Sequence, residues 1–146
     1  MNQTQSILAL MKQDHHNIES LLDALDEHLD ASSEEIKQYF ERFEWNLEKH
    51  LFVEEKAIFT FYEPEDLSQG YKMVPTVITQ HNYILNELKN MRKIINTGKI
   101  PTGLDEFKSF LMKHRNYEER DVYPKLEEEL TDEQKKVIIN RINEIR

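Results

Sequence analysis

The sequence predicts an all-α fold, an up-down-up-down four-helix bundle followed by a short C-terminal fifth helix. Three observations predict it. Apolar residues recur at alternating three- and four-residue steps along four long stretches, the period of a helix face turned to a bundle interior. Only three glycines and four prolines occur, too few for the many turns of an all-β fold. The breaking segments are few and short, which favours antiparallel neighbours. A length of 146 residues suits one domain with a real core. We expect one domain over 1–146, with the bundle at about 5–128 and the last helix at about 132–145.

The first helix carries its apolar seam on Leu8, Met11, His15, Ile18, Leu22, Leu25 and Leu29. It ends at "DASSEE" (30–35), where Ser32 and Glu35 have capping-box spacing and start the next helix. That second seam reads Ile36, Phe40, Phe43, Leu47, His50, Glu54, Ala57 and Phe61. "EPEDLSQGYK" (63–72) is read as a loop, with Pro75 in the first turn of the third helix. The third seam is Val74, Val77, His81, Ile84, Leu88, Met91 and Ile95, and "NTGKIPTG" (96–103) ends it. The fourth is Leu104, Phe107, Leu111, His114 and Glu118, continuing through either Asp121 or Val122. Thr131 and Gln134 form a second capping box that opens the fifth helix.

Composition narrows the function. A net charge of −9, with acidic residues spread along the chain, supplies no basic stripe for phosphates and argues against nucleic acid. No apolar run is long enough to span a membrane. "SILALM" is too short, and too soon followed by "KQD", to read as a secretory signal, so a cytoplasmic location is the default. The absence of cysteine excludes disulfides, thiolate ligands, iron–sulfur clusters and thiol catalysis.

Every long helix has a histidine in its seam, and the second and fourth add a glutamate one turn later. Residues four apart share a helix face, so His50 and Glu54 point the same way, as do His114 and Glu118. Measured from the connecting breaks, these residues and His15 and His81 agree in depth to within about one or two helical turns. Six polar side chains thus converge on one layer. Buried ionised carboxylates are costly unless compensated, and no Lys or Arg stands in the seams to pair with them. A metal centre supplies the missing positive charge.

Aligning the halves of the chain on His15 and His81 also pairs Ile18 with Ile84, Leu22 with Leu88 and Leu25 with Met91. Aligning on His16 destroys that match. His16 and His28 fall off the seam and are read as solvated surface residues; Glu55 and Glu119 rotate away from the core, behind the inner glutamates or on the surface. Imidazole and carboxylate without sulfur suit iron, manganese or zinc. Six ligands exceed the needs of one tetrahedral zinc, whereas two bridging carboxylates with two histidines per ion accommodate a pair of metals.

The set "DHHNI", "HLFVEE", "QHNYI" and "HRNYEERDVYP" resembles the hemerythrin-like (HHE) domain family, in the family's order and over about residues 5–128. The resemblance implies a four-helix bundle around two non-haem iron ions, oxo- or hydroxo-bridged, with manganese or zinc as other occupants. Carried over, the metal ligands are His15, His50, Glu54, His81, His114 and Glu118. Two positions depart from the oxygen-carrying branch. Leu85 stands where that branch has a further histidine, and Glu119 fills the slot of its last aspartate. The pattern is closer to the four-histidine, two-glutamate branch, and one ligand fewer should open a second coordination position.

The first function implied is binding of a small diatomic ligand, O2 or NO, for sensing, storage or carriage. Apolar neighbours such as Phe43, Leu47, Val77, Ile84 and Leu111 would admit a neutral gas, besides serving as core. The alternative is a redox enzyme or iron donor, acting on NO or peroxide or in iron–sulfur cluster repair, with an electron donor or client protein as partner. Tyr62, Tyr83, Tyr117 and Tyr123 stand near ligands in sequence and could donate protons, or simply pack. A third reading is an iron reserve or a zinc-loaded bundle. Whether the chain is an enzyme, and which residues would be catalytic, is left open.

Overall fold

The computed structural model describes residues 6–61 and 70–145, and every regular element among them is helical. Helix α1 spans Ile7–Glu27, α2 Ser33–Val53, α3 Gly70–Asn96, α4 Leu104–Tyr117, α5 Tyr123–Glu129 and α6 Asp132–Ile145. The bundle with a final helix at 132–145 is as the sequence predicts.

Caps set the boundaries. Ser32 Oγ accepts from Glu35 N at 3.2 Å, opening α2. Thr131 and Gln134 exchange both bonds of a capping box, at 2.9 and 3.2 Å, ahead of α6. α3 closes on Gly98, whose φ of +80° lets its N–H reach back to Ile95 O at 2.9 Å. α1 is capped in a way the sequence did not announce. Ser6 Oγ accepts from Ala9 N at 2.9 Å, while Glu127 of α5 takes the Ile7 N–H at 2.7 Å. An acidic group from the far end of the chain thus meets the positive end of the first helix.

Two expectations about the third and fourth helices need correction. Pro75 lies inside α3 rather than in its first turn, because the helix already runs from Gly70 and buries Met73 in the core. The predicted loop 63–72 therefore overlaps α3 at its end, and residues 63–69 of it, together with Tyr62, lie outside the described residues. The fourth helix is also not one continuous α-helix. A π-helical turn, Glu118–Val122, separates α4 from α5, and a matching π turn, Glu54–Ile58, follows α2.

In each π turn the glutamate carbonyl accepts from the amide five residues on, Phe59 N–H to Glu54 O and Tyr123 N–H to Glu118 O. The extra residue resets the helical phase. Val122 and Tyr123 consequently turn fully inward while Asp121 is exposed, which decides the Asp121-or-Val122 alternative for Val122. Pro124, with no N–H to extend an i→i−4 ladder, follows directly.

The core is divided. One apolar cluster, containing Ile18, Leu22, Phe40, Phe43, Leu88 and Phe107, fills the end of the bundle reached by the α1–α2 and α3–α4 connections. A second, around Met11, Ile58, Val77, Tyr123 and Leu126, is sealed by Ile138 and Ile142 of α6. Between the two clusters lies a layer of buried polar side chains.

Candidate metal centre

The polar layer consists of His15, His50, Glu54, His81, His114 and Glu118, all at most 6% exposed, with both glutamates at 0%. All six residues singled out in the sequence are brought together. α1, α2, α3 and α4 each contribute one histidine, and each glutamate opens one of the two π turns. The turns therefore start where the carboxylates must enter the interior.

The arrangement repeats with approximate twofold symmetry. His15 and His50 lie edge to face, ring centroids 4.7 Å apart, and His81 and His114 do the same at 5.2 Å. The carboxylates stand between the pairs. Glu118 Oε1 is 3.1 Å from Nε2 of both His15 and His114. Glu54 Oε1 is 3.2 Å from Nε2 of both His50 and His81. Donor atoms of His15, His50, Glu54 and Glu118 all lie within 4.8 Å of one another, and so do those of Glu54, His81, His114 and Glu118. The two quartets share both carboxylates, so two cations can sit side by side with Glu54 and Glu118 spanning them.

Each imidazole is fixed from behind. The Nδ1 of His15 donates to Glu119 at 2.7 Å, that of His81 to Glu55 at 2.8 Å, that of His50 to Asp14 at 3.4 Å and that of His114 to Gln80 at 2.5 Å. With Nδ1 donating to an acceptor, Nε2 of each ring is turned to the interior, the side that a metal requires. Glu55 and Glu119 thus stand behind the inner set, as the sequence suggests. Asp14 and Gln80 went unrecognised, although each immediately precedes a seam histidine.

The chemistry of the donor set fits a pair of cations. His50, His81 and His114 Nε2, Glu54 Oε1 and Glu118 Oε2 are buried without a hydrogen-bond partner among the described residues. Several lie within 3.2 Å of an opposite group, but off hydrogen-bond directions. Such atoms are rare in folded proteins, and an ion is a common explanation. Electrostatics agree. Burial pushes the His50 imidazole down, yet Glu54 and Asp14 outweigh it and hold its pKa up at about 10. His81, also opposed by burial, is held at about 10 by Glu118 and Glu54. Burial would raise the Glu118 carboxyl, but the adjoining Glu54 carboxyl and the His114 imidazole outweigh it and keep it well below the usual carboxylate range. Positive charge, whether protons or metal, is what this layer demands.

Among the tyrosines, Tyr123 alone of those described touches the cluster: its buried hydroxyl donates to Glu54 Oε2. Burial first, then Glu118 and Glu54, push that phenol well above its ordinary value. Tyr83 is exposed and packs on Phe110, and Tyr117 is half-buried. His16 is exposed, as expected. His28 is a correction. It is half-buried, donates to Ala24 O at 2.6 Å and stacks on Tyr39 with centroids 4.3 Å apart, so it finishes α1 rather than sitting free in solvent. Leu85 lies on an exposed flank of α3, and the inward place next to it belongs to Ile84.

A small apolar cavity of about 30 Å³ adjoins His15, His50 and His114 and is lined also by Ile18, Leu47, Leu51 and Leu111. Its partly exposed rim is Glu19 and Arg115, ion-paired at 2.5 and 2.6 Å. Of the apolar neighbours named from the sequence, Leu47 and Leu111 line it; Phe43, Val77 and Ile84 belong to the core clusters instead.

A family model described as the hemerythrin HHE cation binding domain matches residues 6–126. Neither the curated proteins nor the solved structures provide a match to the chain. Among the described residues no helix is long and apolar enough to cross a membrane.

Proposed function

We infer the function from one premise: the chain belongs to the hemerythrin HHE cation-binding domain family. On that basis it is a one-domain, non-haem di-iron protein that binds a small diatomic ligand, O2 or NO, for sensing, storage or carriage. His15 and His50 would hold one ion and His81 and His114 the other, with Glu54 and Glu118 within reach of both. When bound, iron supplies a redox couple and an open position for a small ligand.

The observation that carries this reading is the set of unpartnered buried donors around two shared carboxylates. The chain's own residues supply the rest. Nδ1 acceptors keep the four imidazoles oriented, and Tyr123 holds the outer oxygen of Glu54 so that Oε1 faces His50 and His81. The 30 Å³ cavity has the size of a single small molecule and an apolar wall, which favours a neutral gas over an anion.

The test is metal analysis with optical spectra on protein reduced without air and then exposed to O2. Two irons per chain, with a visible absorption that gentle degassing abolishes, are expected. Irreversible oxidation would move the reading to redox chemistry, and zinc or no metal would overturn it.

A further inference from the structure

The twofold relation pairs His15 with His81, His50 with His114, Glu54 with Glu118 and Glu55 with Glu119. Behind the imidazoles it fails at one charged position. The residue before His15 is Asp14, whereas the residue before His81 is Gln80. Asp14 accepts from His50 and Gln80 from His114. The His15–His50 pair is therefore backed by two carboxylates, Glu119 and Asp14. The His81–His114 pair is backed by one carboxylate, Glu55, and one neutral amide.

A carboxylate behind an imidazole draws on the Nδ1 proton and makes Nε2 a better electron donor; a neutral amide oxygen does so less. The Asp14 contact is the longest of the four at 3.4 Å. Charge nevertheless acts as the inverse first power of distance, so the added separation removes little of what the full charge supplies. Asp14 is also only 13% exposed, which limits screening by water. Lys49 lines the same cleft beside Asp14 and His50 and tempers the effect, placing it near the low end of the range such partners produce.

We propose that the two cation positions are unequal: the position between His15 and His50 takes the first divalent cation and holds it more tightly, and the position between His81 and His114 fills second and empties first. Asp14 is the positioning residue that sets the order. The inference rests on the two-cation reading above.

The test is an oxygen-free titration of the metal-free full chain with Co(II) alone, followed by native mass spectrometry and calorimetry. At one equivalent the unaltered protein should be mostly singly loaded. Asp14→Asn keeps an acceptor oxygen but removes the charge, and should weaken the first step about tenfold, bringing the populations to a statistical mixture. Gln80→Glu should strengthen the second step by about the same factor. Circular dichroism melts establish that both variants fold. Equal steps in the unaltered protein, or a variant acting on the wrong step, would overturn the order while leaving two sites in place. Binding of fewer than two ions would instead overturn the two-cation reading.

Discussion

His15 donates from Nδ1 to Oε2 of Glu119 at 2.7 Å, although 104 positions separate the two residues in the chain. The contact ties α1 to the π turn after α4 and turns the other nitrogen of the ring toward Glu118, 3.1 Å away. Glu119→Gln removes the charge and keeps the shape. We expect metal affinity to fall about 10- to 100-fold, with little change in the melting temperature of the metal-free protein. A competition titration against a chelator reads the affinity, and a thermal melt of the metal-free form reads the stability.

Glu118→Ala is the harsher change, since Glu118 faces three of the four histidines. Metal should be lost after desalting, and His50→Ala should behave likewise, whereas His16→Ala keeps full metal content. Full occupancy in Glu118→Ala would remove that residue from the ligand set.

His28→Ala separates a structural histidine from the cluster. It loses the bond to Ala24 O and the stacking on Tyr39. A loss of about 1 kcal/mol, a few degrees in a thermal melt, is expected with metal content unchanged.

Tyr123→Phe strips the hydroxyl from the buried Glu54 carboxylate and leaves its outer oxygen without that donor. The cost should be about 1–3 kcal/mol in the metal-free protein. Melts with and without metal check it, because a bound ion compensates Glu54 directly and the loaded form should lose less.

Stability should depend on pH in opposite senses with and without metal. In the metal-free protein His50 and His81 are held at about 10, above the ordinary 6.5. The stability they contribute is complete below about 6.5 and is lost as pH rises toward 10. Glu118, lowered well below 4.5, contributes stability that is present above that value and lost only in strong acid. In the loaded protein metal replaces the histidine protons, so the alkaline loss disappears and acid instead expels the metal. Melting temperatures between pH 5 and 9.5, with and without chelator, test the reversal; an apo form that gained stability toward pH 9 would contradict the charge assignment.

The sequence by itself determined the bundle, its inward faces and the six converging residues. The reason is periodicity: a polar residue inside an otherwise apolar seam is conspicuous, and His50–Glu54 and His114–Glu118 share a helix face through local geometry alone. The caps at Ser32 and Thr131 were legible for the same reason, since each bond closes within a few residues.

Tertiary structure decided what depends on partners far apart in the chain or on a change of helical period. Asp14 and Gln80 look like ordinary surface residues, and Glu55 and Glu119 are divided between the surface and a place behind the inner glutamates, until a neighbouring helix brings an imidazole to each one. The π turn at Glu118–Val122 chose Val122 over Asp121 and carried Tyr123 to Glu54, because its one extra residue rotates everything after it and no side-chain pattern announces it.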